Sequence, residues 1–472
     1  MKTSSLSAMA ILTSRSISSP SCNNFLFRFR PYHFLLCSSS SRTIRSSSAR
    51  FHSTIITAAM NNNENTKNHH QSTLLQTHLE RLKSSPSQTL LLDGGTGEEL
   101  FLRGVPDDRK IWSATAVVHS QYHSILRSVH ESFIEVGSDA ITTNSYGIVP
   151  GVGFRDGEEV ARLMSLAGEI ARKAATAVSD VKADEPGKND NTKEEGNARA
   201  LVFGSLGPLV ESYRPDLIMN RRDGVKCYRY AIEGLYPHID VFLAETMSCL
   251  EEVCQVVDAL SEFYQEENDI MKCEESLATR HPLLVSFTLG ADGKIRNGDA
   301  VVEVIPKLVE YSNQKGIELI GVMFNCCEPE SITKALKEIQ TNPQIHHHLH
   351  HPPHSVSKIP ESTTCGNPEV SQTTTQQIMS SRPPKIFLGA YANRLTPVDP
   401  DWTLESSTEA QGMREDLSPE RYWNEFVRQW HDEGKEKDGM ENSSIGGMQL
   451  IGGCCGVGPD YIARLKTSLK ST

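Results

Sequence analysis

The sequence predicts a closed (β/α)8 barrel, the TIM-barrel class of α/β folds, and three observations carry that reading. Eight short runs of apolar and β-branched residues alternate with segments of helical period, the pattern of parallel βα units. Eight such units are the number that closes a barrel. Residues capable of chemistry fall at the C-terminal ends of several different strands, the side on which a barrel assembles its site. An open doubly wound sheet is the structural alternative, but it would leave most of those strand ends too far apart to share one site.

Taken in order, the first strand is residues 89–93, an apolar run stopped by Gly94-Gly95. Strands follow at 139–146, 200–205, 240–246, 283–288, 318–325, 385–391 and 449–454, each ending in polar residues or glycine. Helical period is visible at 124–136, 158–178, 225–235, 249–262, 300–315 and 331–339. The barrel domain is thus expected over 87–470. Three stretches without apolar period read as surface insertions: the charged 182–197, the acidic 266–275 and the low-complexity 341–384. The last carries His346, His347, His348, His350, His351 and His354 among Pro, Ser and Thr, a solvated loop rather than a defined metal site.

The chain has 472 residues and a formal net charge of −12. No block of Lys and Arg in the body suits a phosphate backbone, so nucleic acid is excluded as a partner. No run of 18 or more apolar residues reads as a membrane-spanning helix. The 11 cysteines are odd in number and lack the spacing of a secreted disulfide framework, which predicts reduced thiols. Residues 1–60 lack any acidic residue, are rich in serine and carry Lys2, Arg15, Arg28, Arg30, Arg42, Arg45 and Arg50. That is the composition of a transit peptide for a mitochondrion or plastid, with a disordered tail as the alternative. Met60 offers an internal start that would give a cytosolic form. Residues 61–86 are polar and read as a linker.

Two cysteine groups stand at strand ends: Asn325-Cys326-Cys327 after the sixth strand and Gly452-Gly453-Cys454-Cys455-Gly456 after the eighth. In a barrel both face one mouth. Cys326, Cys454 and Cys455 suit a tetrahedral Zn2+ site with one position open, the mark of a catalytic rather than a structural zinc. Buried small hydrophobes and a redox pair are the competing readings. Cys327 is expected to point away from Cys326, as neighbours in an extended chain do. Cys227, Cys249, Cys254 and Cys273 lie on helical or insertion patterns and read as structural.

The set Asp93-Gly94-Gly95, Gly321 to Asn325-Cys326 to Pro329, and Gly452-Gly453-Cys454-Cys455-Gly456 resembles the homocysteine S-methyltransferase family, over most of the chain from about Leu90 to Leu465. The resemblance implies a zinc-dependent barrel that moves a methyl group onto the thiol of homocysteine, giving methionine. It implies that Cys326, Cys454 and Cys455 hold Zn2+, that Asp93 and Gly94 form the amino-acid-binding turn, and that Glu245 holds the substrate ammonium. Where the family often has Gly-Val-Asn-Cys this chain has a longer Gly321-Val-Met-Phe-Asn-Cys326, and Ala392-Asn393-Arg394-Leu395 replaces a Pro-Asn-Ala/Ser-Gly loop. The second departure lies near the mouth and bears on the identity of the methyl donor.

Elementary chemistry agrees with that assignment. A thiol with a pKa near about 8.5 is mostly protonated at neutral pH, and methyl transfer needs the thiolate, which Zn2+ coordination provides. A sulfonium or quaternary ammonium donor leaves as a neutral molecule, so no general acid is required. Asp93 and Glu245, each readable alone as a turn or capping carboxylate, together supply charge for an ammonium, and the glycine turn admits a substrate carboxylate. Asn144 and Tyr146, at the end of the second strand, are placed to shape the substrate or donor pocket, with core packing as the alternative for Tyr146. S-methylmethionine or S-adenosylmethionine is the favoured donor; betaine, methyltetrahydrofolate and a selenocysteine acceptor define related alternatives. The reading from another class is a non-catalytic zinc or thiol protein, which would have no use for an ammonium pocket.

Overall fold

The computed structural model describes residues 64–85, 87–108, 110–151, 153–183, 200–271, 280–349, 385–397, 412–432 and 447–470. The leader expected over 1–60 lies outside the described residues.

Eight parallel strands form one sheet in the order β1-β8-β7-β6-β5-β4-β3-β2. They are β1 Leu90–Leu91, β2 Ala140–Thr142, β3 Leu201–Leu206, β4 Val241–Met247, β5 Leu283–Phe287, β6 Leu319–Asn325, β7 Phe387–Tyr391 and β8 Leu450–Ile451. The remaining seam, between β1 and β2, closes partly through side chains. Asp139 N donates to Leu91 O at 2.7 Å, Leu91 N donates to Asp139 Oδ2 at 2.9 Å, and Thr142 N donates to Asp93 Oδ2 at 2.7 Å. The expected barrel is therefore observed, and two carboxylates stand in at the seam where ladder carbonyls are missing.

Alternation along the strands sorts the core into two layers. Leu90, Phe203, Leu243, Leu284, Met323, Phe387 and Leu450 fill the barrel interior. Leu91, Val202, Phe242, Val285, Val322, Leu388 and Ile451 face outward to the helices. Both faces are buried, so the strands read as nearly continuous apolar runs rather than as an apolar-polar alternation.

The stretch 61–86, expected to be a linker, is instead mostly helix: α1 spans Glu64–Ser84. Its polar residues dominate the composition, yet Leu75, Leu79 and Leu82 recur at helical spacing and pack into the interior layer. Gln449 locks the end of α1 down, its Nε2 donating to the carbonyls of Leu82, Ser85 and Gln88 at 2.8–3.0 Å. The outer helices are α2 Thr96–Leu102, α3 His123–Glu135, α4 Gly157–Ala183, α5 Arg221–Leu235, α6 Leu250–Met271, α7 Val301–Gln314 and α8 Pro329–Thr341. A helical stretch from Pro419 to Asp432 with a π segment at its centre follows β7, and α10, Pro459–Lys470, follows β8. We number the former α9; the sequence pattern predicts no element there.

The insertions are shorter than expected. Helix α6 continues through Glu266 to Met271, with Glu267 buried, so the acidic composition of 266–275 concealed a helix end. Helix α4 takes up residues 182 and 183, and the rest of 182–197 lies outside the described residues. The third begins later than 341: a 3-10 turn, Pro343–His348, buries Ile345, and Leu349 pairs with Ile386. The His346-His347-His348 run packs on this turn, and among the described residues it joins no metal-binding cluster; His350, His351 and His354 lie outside them. No helix among the described residues is long and apolar enough to cross a membrane.

Ile386 N donates to His348 O at 2.8 Å, so the ends of the 350–384 stretch are adjacent. Deleting 351–383 across a short linker is expected to leave the melting temperature nearly unchanged. Deleting from 341 also removes Ile345 and Leu349, each worth about 2–5 kcal/mol if fully buried, and is expected to prevent stable folding. Equal melting temperatures for the two deletions would refute this boundary.

Candidate metal centre and substrate site

Backbone geometry at the ends of β6 and β8 brings three sulfurs together. Asn325 ends β6 facing inward, and Cys326 then adopts a left-handed φ of 49°, which turns its thiol into the mouth. Cys327 resumes the outward direction and packs in the outer core, where burial pushes its thiol up to about 12. After β8, a Cβ on Gly453 would sit 2.0 Å from Val457 Cγ1, and one on Gly452 2.6 Å from Leu92 Cβ, so only glycine lets the chain fold back there. Cys454 N then bonds to Ala392 O at 2.9 Å, and Cys455 O accepts from Arg394 N at 2.8 Å.

The Sγ atoms of Cys326, Cys454 and Cys455 all lie within 4.8 Å of one another, with Cys326 and Cys454 at 2.7 Å and Cys454 and Cys455 at 3.9 Å. Hydrogen bonds from its two partners hold Cys326 well below the usual thiol range, and the same bonds, with burial, push Cys454 and Cys455 up. Without a cation, three largely buried sulfurs this close do not ionise together. The donor set is thus suited to a thiophilic divalent metal, whose charge would let all three bind as thiolates.

Carboxyl groups line the mouth beside the sulfurs. Glu245, inward-facing on β4, accepts from Ser205 Oγ and, at 3.2 Å, from the Tyr391 hydroxyl; burial pushes it up to about 8. Asp93 is raised to about 7 by burial, although Thr142 donates to it through both its backbone N–H and, at 3.1 Å, its hydroxyl. Glu98, on the first turn of α2, lies against the Gly456 amide and the Cys455 thiol, and is likewise pushed up to about 7, chiefly by burial. Carboxyls raised by burial in this way are ready to ionise when a cation arrives.

Gly94 is closely packed on its side-chain side. A Cβ there would lie 2.1 Å from Val457 O, so the glycine is required by close packing of the β1 turn on the β8 loop. Asn144 is tied to Ser113: its Oδ1 accepts from Ser113 Oγ and its Nδ2 donates to Ser113 O, each at 2.8 Å. It therefore positions the loop that carries Trp112. Tyr146 bonds Ser212 at 2.6 Å and meets the Trp112 ring edge-on at 6.1 Å.

The loops add residues that periodicity did not reveal. Trp112 and Tyr213 pack with Leu395 against the cysteines, and the Tyr213 hydroxyl bonds Cys326. Thr246 also bonds that thiol; Asn325 braces Thr246, accepting from its N–H at 3.0 Å and donating to its hydroxyl at 2.8 Å. Among the described residues, the non-glycine residues with left-handed φ are Trp112, Tyr213, Thr246 and Cys326. All four border this one site, as backbone strain concentrated at a functional centre does.

Comparison with known proteins agrees with this geometry. A family model described as homocysteine S-methyltransferase matches residues 90–469. The homocysteine S-methyltransferase of Escherichia coli is 27% identical over 257 residues, 53% of this chain and 73% of that protein. Homocysteine S-methyltransferase YbgG of Bacillus subtilis is 22% identical over 263 residues, 54% of this chain and 74% of its own. The metallated crystal structure of the homocysteine methyltransferase MmuM from Escherichia coli superposes with a TM-score of 0.53 at 20% identity, covering 81% of this chain and 96% of that one, and so shares the barrel fold. With the family model spanning the whole barrel and its cysteine-lined mouth, the chain is an enzyme of the homocysteine S-methyltransferase family.

Proposed function

We propose that the protein transfers a methyl group from a sulfonium donor, S-methylmethionine or S-adenosylmethionine, to the thiol of homocysteine, giving methionine. The observation that carries this reading is the convergence of Cys326, Cys454 and Cys455 in a mouth that also holds the buried carboxyls of Glu245 and Asp93. Those three cysteines would hold Zn2+, which when bound supplies the charge that keeps a substrate sulfur as thiolate at neutral pH. Glu245 binds the homocysteine ammonium, with Ser205 and Tyr391 fixing both of its oxygens. Asp93 adds negative charge from the β1 end.

Trp112, Tyr146 and Tyr213 wall the entrance. Aromatic faces attract an onium and exclude water, which supports a cationic donor. In the displacement a C–S bond forms between the homocysteine sulfur and the methyl carbon. The donor's own C–S bond breaks and its electron pair departs with a neutral thioether, so no side chain has to deliver a proton. Homocysteine incubated in turn with S-methylmethionine, S-adenosylmethionine, betaine and methyltetrahydrofolate, with and without a zinc chelator, tests the reading. Methionine is expected from the sulfoniums and is expected to disappear with the chelator; no methionine from any donor would reject it.

The composition of residues 1–60 supports delivery to a mitochondrion or plastid. A reporter fused behind these residues is expected to enter an organelle, and a fusion that starts at Met60 is expected to stay in the cytosol. A diffuse signal from the longer fusion would count against the leader.

A further inference from the structure

Arg296 stands in the loop between β5 and α7. That loop is a pinned double turn: Gly290 N bonds Lys294 O at 2.8 Å, Ile295 N bonds Asp299 O at 3.0 Å, and Leu289 bridges Ile295. Lys334 of α8 clamps it from outside through Ala291 O at 2.7 Å. The loop presents the Arg296 guanidinium over the Tyr213 ring, 5.0 Å from its centroid, and the Tyr213 hydroxyl bonds Cys326. One tyrosine therefore separates the guanidinium from the sulfurs.

Among the described residues the guanidinium has no counter-ion. Among the described residues Arg296 makes no ion pair and no hydrogen bond, and its Nε is buried without a partner. The acids of its own loop are engaged elsewhere: Asp292 Oδ1 accepts from Lys294 N at 3.1 Å, and Asp299 Oδ2 from Asn297 Nδ2 at 2.6 Å. Arginine stays charged, and a half-buried guanidinium with an unsatisfied N–H is costly unless an anion completes it. A guanidinium held over a ring face can still use its two terminal nitrogens to grip a carboxylate through two parallel bonds.

We propose that Arg296 is the anchor for the carboxylate of the methyl donor, so that the donor site takes an onium carrying its own carboxylate and places the onium on the sulfur side of Tyr213. This rests on the transfer reading above for the identity of the donor, and it adds what selects among onium compounds: a sulfonium that lacks an acid group would have nothing to meet Arg296.

Calorimetric binding to the zinc-loaded enzyme tests it independently of turnover. The probes are dimethylsulfoniopropionate and trimethylsulfonium, neither of which has an ammonium for the homocysteine pocket. The parent is expected to bind the carboxylate-bearing probe at least tenfold more tightly, Arg296→Ala to lose that preference, and Arg296→Lys to keep part of it, with zinc content unchanged in all three. No preference in the parent, including binding of neither probe, or an undiminished preference in Arg296→Ala, would overturn the assignment. In turnover, Arg296→Ala is expected to raise KM for S-methylmethionine at least tenfold and to move KM for homocysteine less than twofold. A rise confined to homocysteine would also overturn it, by placing Arg296 on the acceptor. Failure of the parent to form methionine, by contrast, would strike the transfer reading and leave the binding result standing.

Discussion

Replacing either Cys454 or Cys455 with alanine is expected to strip zinc from the protein and bring methyl transfer below detection. Each sulfur is one of three that converge within 4.8 Å, so its loss leaves two protein ligands where catalytic zinc sites keep three. Changes one shell further out commonly weaken metal binding by about 10–100-fold, and removal of a direct ligand is expected to exceed that. Metal analysis after dialysis against a weak chelator gives the readout, with about one zinc per chain for the parent. Cys327→Ala is the control, because its thiol packs in the outer core; it is expected to keep its zinc and lose only some stability. Full zinc retention in both Cys454→Ala and Cys455→Ala would dismiss the proposed centre.

The strands were legible because both of their faces are buried and their apolar runs are interrupted at the mouth by residues with no packing reason to be there. The cysteine centre was legible for the same reason, standing at two strand ends beside glycines. What escaped sequence reading has physical causes. Helix α1 shows only a narrow apolar stripe, Leu75, Leu79 and Leu82, within a polar segment, and its order comes from docking on the barrel floor rather than from its own composition. In the acidic tail of α6 charge outweighs the helical period, so composition alone points to a surface insertion.

Trp112, Tyr213 and Arg296 lie in βα loops, which have no repeat to reveal which way a side chain faces. Their convergence depends on turns such as the left-handed backbone at Trp112 and Tyr213. Glu98 had a partial signal, a carboxylate one helical turn beyond Gly94-Gly95, but only the return of the β8 loop brings it to Cys455. Gly94 carries a second constraint that sequence alone does not show: a Cβ there would meet the Val457 carbonyl.

Glu245→Gln is expected to raise KM for homocysteine by about ten- to a hundredfold while leaving zinc content unchanged. The carboxylate is buried, its two oxygens are held by Ser205 and Tyr391, and it is not among the converging sulfur ligands. An ammonium arriving there gains a charge-assisted hydrogen bond, and losing one such bond costs about 1.5–3 kcal/mol. Glutamine is the informative substitution because it keeps the volume, and the hydroxyls of Ser205 and Tyr391 can rotate to meet an amide. An unchanged melting temperature would then separate a binding defect from misfolding. A fall in kcat alongside the rise in KM would show that the contact strengthens in the transition state, whereas a change in KM alone would show that it only anchors the substrate. Thiols of the 3-mercaptopropionate type, which lack the ammonium, are expected to be poor substrates for the parent and nearly indifferent to the substitution. If Glu245→Gln impairs thiols with and without the ammonium equally, Glu245 serves the barrel interior instead, and the substrate's charge must be met by Asp93 or Glu98.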